Sequence, residues 1–154
     1  MSESLPIERA KELQSITVHH HNGLLLSRKI RIGFNKKIEP KRIKKYVDWY
    51  FENQIVPHLQ LEEELLFPIL GNQNELIKRA LTDHRRLRRL FKKSEQIEKT
   101  LVQIEEEIEA HIRFEEHTLY AEIQKFASVE QLTEIEEAHS KMAFIENEED
   151  QFWN

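Results

Sequence analysis

The six residues His58-Leu-Gln-Leu-Glu62-Glu63 recur as His111-Ile-Arg-Phe-Glu115-Glu116. In a helix, positions i and i+4 lie one turn apart on the same face. Each copy therefore aims an imidazole and a carboxylate at one spot, and only a helical chain does this with that spacing. The likeness runs past the motif, because HLQLEEELLFPIL (58–70) aligns with HIRFEEHTLYAEI (111–123) at His, Glu, Glu and Leu. Nitrogen and oxygen donors of this kind suit first-row or hard divalent cations. Two copies read as two halves of one site, so the chain is expected to wrap helices around metal.

The rest of the chain agrees with helices. Among 154 residues there are only 3 Gly and 4 Pro, and 33% of residues are charged, a composition of long helices and few turns. The length fits a single domain over 1–154. A net charge of −5 argues against a nucleic-acid partner. Without cysteine, disulfides, thiolate ligation and cysteine nucleophiles are excluded. The start MSESLPIERAKEL has no apolar core of a leader, and no long apolar run offers a membrane partner. A cytoplasmic protein is the expectation.

Turn signals divide the chain into helices. The first is expected from Pro6 to Ile32, with Leu13, Ile16, Gly23, Ser27, Ile30 and Phe34 as its inward stripe. Gly33 and Asn35-Lys36-Lys37 end it. Pro40 suits the first turn of a second helix running to about Leu70, with Pro57 inside it, where a lost backbone donor either kinks the helix towards His58 or leaves a bland break. Gly71 to Asn74 forms a turn. A third helix is expected over Glu75–Ser94, and a fourth from a break near 94–99 to Phe126. Ser128 with Gln131 resembles a capping box and starts a short fifth helix, about 129–146. The acidic tail from Glu148 is expected to fray, with Phe152 and Trp153 docking locally. The fold class is all-α: an up-and-down four-helix bundle over about 8–126 with a short additional C-terminal helix.

Distance from the turns places four histidines at similar depth. His58 lies 13 residues before Gly71 and His84 lies 10 after Asn74, depths that agree to about one turn at roughly 1.5 Å per residue. His111 follows the break near 94–99 by a similar distance, and His20 precedes Gly33 by 13 residues. The candidate metal ligands are His20, His58, Glu62, His84, His111 and Glu115. If the two glutamates bridge, two ions each receive two imidazoles and keep positions free for a small ligand. Of His19, His20 and His21, His20 fits the inward stripe best, and an unused neighbour is left for an outer role. Glu63 and Glu116 read as flanking acids, His117 and His139 as surface residues. Arg85, Arg86, Arg88 and Arg89 read as a solvated face paired with the acidic runs. Tyr46, Trp49 and Tyr50 read as core.

The histidine within HHHNGLLL, with HLQLEEELLFP, DHRRL and HIRFEEHTLY, resembles the hemerythrin-like HHE cation-binding family over about residues 10–126. The resemblance implies a non-haem di-iron (Fe2+/Fe3+) centre. His20, His58, His84 and His111 would then be terminal ligands, and Glu62 and Glu115 bridges. By ligand type alone, Zn or Mn suits the same set. The implied function is binding of, or reaction with, oxygen, nitric oxide or peroxide, in sensing or stress response; the alternative is iron binding or sensing without turnover. Whether the chain is an enzyme, and which protein partner it has, stay open. Oxygen carriers of the family have two histidines four apart on the third helix, whereas Ala80 and Arg88 flank His84 at that spacing. They also carry an aspartate bridge five residues after the last-helix histidine, where this chain has Glu116, and Glu115 matches better. A four-His, two-Glu set looks more like the bacterial iron–sulfur-repair and regulatory branch, whose Cys-containing N-terminal domain has no counterpart in this sequence.

Overall fold

A computed structural model describes residues 9–154. The expected start at Pro6 lies outside the described residues, and the described chain begins with a 3-10 turn at Lys11–Leu13. Among the described residues there are five helices and no strand. We number them α1 (Gln14–Asn35), α2 (40–70), α3 (Glu75–Phe91), α4 (97–126) and α5 (Val129–Ser140). α1 and α3 both pack along α4, the first part of α2 lies against α1 and α4, and α5 covers the entry turn, α1 and the middle of α2.

Gly33 does not end α1, which runs on to Asn35. A Cβ there would meet Ile43 Cδ1 at 2.7 Å and Phe152 Cε1 at 2.9 Å. The glycine therefore serves close packing inside the helix rather than termination. α3 stops at Phe91, short of Ser94, and α4 starts after Gln96 in a left-handed conformation (φ 49°). The capping box on α5 is present in both directions, Ser128 to the Gln131 backbone and Gln131 to the Ser128 backbone.

α5 ends at Ser140, not Glu146, and the tail beyond it is docked rather than frayed. Phe144 packs on Trp49 and Tyr50. Glu146 accepts from Tyr46 Oη at 2.6 Å and from Lys29 Nζ at 2.6 Å. Arg42 holds Asp150 with two bonds of 2.6 and 2.7 Å, and Phe152 is buried. Fixed aromatics and paired charges outweigh the acidic composition that suggested fraying. Tyr46 and Tyr50 are core and Trp49 is half-buried against them.

Pro57 does not break α2. Its missing N–H and its ring make the ordinary i→i−4 bond impossible, and the helix widens into a π turn over Phe51–Ile55 before continuing. Two further π turns begin on the first glutamate of each motif, at Glu62–Leu66 and Glu115–Leu119. An i→i+5 turn brings residue i+5 beneath residue i. Phe67 is thereby set below Glu62, and Tyr120 below Glu115. The core is two apolar clusters. One is built around Leu26, Ile30, Val47, Phe51 and Ile104, the other around Leu13, Ile16, Phe67, Ile77, Leu119 and Tyr120. Buried histidines and glutamates occupy the same interior.

Candidate metal centre

All six candidate ligands converge. His20, His58, Glu62, His84, His111 and Glu115 are each at most 8% exposed. Their donor atoms form two clusters, His20, His58, Glu62, Glu115 and Glu62, His84, His111, Glu115, with the atoms of each cluster within 4.8 Å of one another. Both glutamates belong to both clusters. Glu62 Oε1 stands 3.4 Å from His58 Nε2 and 3.3 Å from His84 Nε2. Glu115 Oε1 stands 3.0 Å from His20 Nε2 and 3.3 Å from His111 Nε2. Of the three neighbouring histidines, His20 is the inward one, and His21 is exposed.

The second glutamate of each motif reaches across to a neighbouring helix. Glu63 Oε2 accepts from His84 Nδ1 at 2.7 Å and is held by Arg88 through bonds of 2.7 and 3.2 Å. Glu116 Oε2 faces His20 Nδ1 at 3.5 Å, too long for a good hydrogen bond but the same placement. The doubled glutamates thus divide the work, one inward and one standing behind a ring of another helix, with a bond to it only at Glu63. His111 Nδ1 has Asp83 Oδ2 at 3.1 Å in that role. Arg86 pairs with Glu107 at 3.2 Å and Arg88 with Glu63 at 2.7 Å. Two of the four arginines of α3 thus meet the acidic runs of α4 and α2, while Arg85 bonds to Thr82 of its own helix.

Sequence reasoning missed Tyr120, Asp83 and His139. Tyr120 Oη donates to Glu62 Oε2 at 2.6 Å, and its ring stacks on His20 at 5.3 Å. The aligned Phe67 lies 5.1 Å from the His84 ring. The matched positions 67 and 120 carried that signal, and Asp83 adjoins His84. His139, expected at the surface, is buried against His19 and His58. His117 is exposed as expected.

Electrostatics separate the rings. Burial would lower the pKa of His20, His84 and His111, but the facing carboxylates win and hold them up to about 10, 11 and 9. His58 goes the other way, driven well below its usual value by burial and by His20. Burial and the charge of Glu115 raise Glu62, whereas His111 and His20 hold Glu115 low despite its burial. Burial also opposes Glu63, yet His84 and Arg88 draw it down to about 2.

Four buried atoms in this cluster, Glu62 Oε1, Glu115 Oε2, His84 Nε2 and His111 Nε2, have no hydrogen-bond partner. Buried polar atoms without partners are costly, and here they share one small space. Four nitrogens, bridging-capable oxygens and no sulfur fit divalent first-row cations. A cavity of about 50 Å³ adjoins them, lined in part by His20, Gly23, His58, Ile112 and Glu115.

Helices carrying such a donor set define a metal-binding protein. The family model "Hemerythrin HHE cation binding domain" matches residues 11–97, more than half of the chain, and the protein belongs to that family. The match takes in His20, His58, Glu62 and His84 and stops before the second motif. No curated protein and no solved structure matched the chain. Among the described residues no helix is long and apolar enough to cross a membrane.

Proposed function

We propose that residues 1–154 form a single hemerythrin-like domain, an up-and-down four-helix bundle closed by α5, that holds two iron ions. His20 and His58 would hold one ion and His84 and His111 the other, with Glu62 and Glu115 bridging. The observation that carries this reading is the set of four unpartnered buried atoms facing one another in one cluster, beside a second cluster that shares both glutamates. A ferrous pair, when bound, supplies open coordination positions and electrons for a small ligand such as oxygen, nitric oxide or peroxide. Zinc or manganese suits the same donors by chemistry.

The chain's own residues set what enters. Gly23 lets Ile112 pack close against α1 at the cavity, since a Cβ there would stand 2.8 Å from Ile112 Cδ1. Leu59, Leu87 and Ile108 make the wall apolar, which excludes bulk water and favours small neutral ligands. Tyr120 keeps its proton, its pKa raised well above the usual value by burial and the nearby carboxylates, and so donates steadily to Glu62. The test is anaerobic loading with ferrous iron, then exposure to oxygen, nitric oxide or peroxide, followed by absorption and Mössbauer spectroscopy. Ligand-dependent spectral change supports the reading, and a spectrum indifferent to all three refutes small-ligand chemistry.

A second reading, iron binding or sensing without turnover, is favoured by the origin of the donors on α1, α2, α3 and α4. Ions bound only to the folded form stabilise it by mass action. That reading expects a large chelator-induced fall in melting temperature with no reaction towards oxidants.

A further inference from the structure

Three of the four inward histidines have a carboxylate behind the ring: Glu63 for His84, Asp83 for His111 and Glu116 for His20. His58 is the exception. Its Nε2 faces the centre, 3.4 Å from Glu62 Oε1, while its Nδ1 is buried without a partner. Behind it stand two more imidazoles. The His19 ring lies 5.5 Å from that of His58 and 4.8 Å from that of His139, and the His58 and His139 rings are 6.2 Å apart. One ring nitrogen from each of the three lies within 4.8 Å of the other two.

We propose that His19, His58 and His139 form a separate three-histidine site for a divalent cation of the zinc class, adjoining the dinuclear centre through His58. His19 Nε2, His58 Nδ1 and His139 Nε2 are all buried and unpartnered. His58 and His139 are more than nine-tenths buried, at 8% and 3% exposure. His19 Nε2 is the buried, unpartnered nitrogen of its ring, and the backbone of Met142 lies beside that ring, the side from which a metal-bound imidazole is usually supported. Nitrogens on one zinc, bonded at about 2.0–2.1 Å, stand roughly 3.4 Å apart, so modest side-chain rotation closes the set. Three imidazoles with a fourth position open are a familiar zinc environment, and imidazole also suits copper, nickel and iron. The site gives α5 a purpose beyond covering the helices, because His139 is its contribution. With an ion on each nitrogen, His58 releases its ring proton to solvent and bridges the two sites. That bridge rests on the dinuclear reading; the three-histidine site does not.

The test is an anaerobic titration of the metal-free full chain with Co2+, read by visible absorption and by elemental analysis after desalting. Wild type is expected to take up about three ions per chain, one showing the intense bands of four-coordinate cobalt. His139→Phe and His19→Gln should each lose that ion and its bands while keeping the others. Glu115→Ala should lose the dinuclear pair and keep the four-coordinate band, which separates failure of one site from failure of the other. Circular dichroism reports folding, and if His139→Phe does not fold, His19→Gln decides. Wild type without a four-coordinate band, or a folded variant with wild-type uptake and bands, overturns the proposal.

Discussion

The two halves of the centre are written in nearly the same letters and behave differently. α2 supplies His58, Glu62, Glu63 and Phe67, and α4 supplies His111, Glu115, Glu116 and Tyr120 at the same spacings. Each half has a π turn starting on its inward glutamate. Each also places an aromatic ring against a histidine of another helix, Phe67 on His84 and Tyr120 on His20. The halves part at one hydroxyl and at what stands behind the motif histidine. Tyr120 reaches across to Glu62, and nothing in Phe67 returns the contact to Glu115. Asp83 backs His111 while His19 and His139 back His58. A repeated local device therefore does not guarantee a symmetric site, because charge and proton affinity come from neighbours outside the repeat.

The largest effect expected is from the shared glutamates. Glu115→Ala and Glu62→Ala should each reduce iron from about two ions per chain to less than one, since both clusters lose a donor together. Elemental analysis checks this, and loss of only one ion in either variant would show that the glutamate serves one half alone.

Next comes the pH response of the metal-free chain. His20, His84 and His111 have folded pKa values raised to about 10, 11 and 9, above an unfolded value near 6.5. Their stabilisation is complete below about pH 6.5 and is lost as pH rises through about 9 to 11, at up to about 1.4 kcal/mol per group per pH unit. Urea denaturation from pH 7 to 9 should show falling stability. His84→Gln should flatten the slope, and His58→Gln should leave it, because His58 is held neutral. Ion uptake should run oppositely and strengthen with pH, as bound protons must leave first.

The hydroxyl asymmetry is worth less. Tyr120→Phe makes the halves alike and removes a buried hydrogen bond to a carboxyl group, at a cost of about 2 kcal/mol in urea denaturation. Phe67→Tyr should also destabilise, by about 1–3 kcal/mol, if its hydroxyl finds no partner. A neutral outcome there would mean that Glu115 can accept the mirror bond. Smallest is the outer carboxylate comparison. Glu63→Gln should weaken Co2+ binding about tenfold, and Glu116→Gln by less, because 2.7 Å to His84 is a bond and 3.5 Å to His20 is not a good one. Equal losses, read by competition with a chelator, would erase that distinction.

The helices and the six converging residues were legible in the chain because the information is local. An i,i+4 spacing fixes which side chains share a helix face, and distance from a turn sets depth. The same periodicity favoured His20 over His19 and His21 as the inward residue. Other features depended on contacts between distant segments: Asp83 behind His111, Tyr120 on Glu62, His139 buried beside His19, and the docked tail over Tyr46. Of the π turns, those at Phe51–Ile55 and Glu62–Leu66 each end two residues before a proline, Pro57 and Pro68, and only the one at Glu115–Leu119, with no proline after it, belongs with these. Periodicity along one helix states which way a side chain faces. What it meets there, and so its charge and its use, is decided only when the other helices arrive.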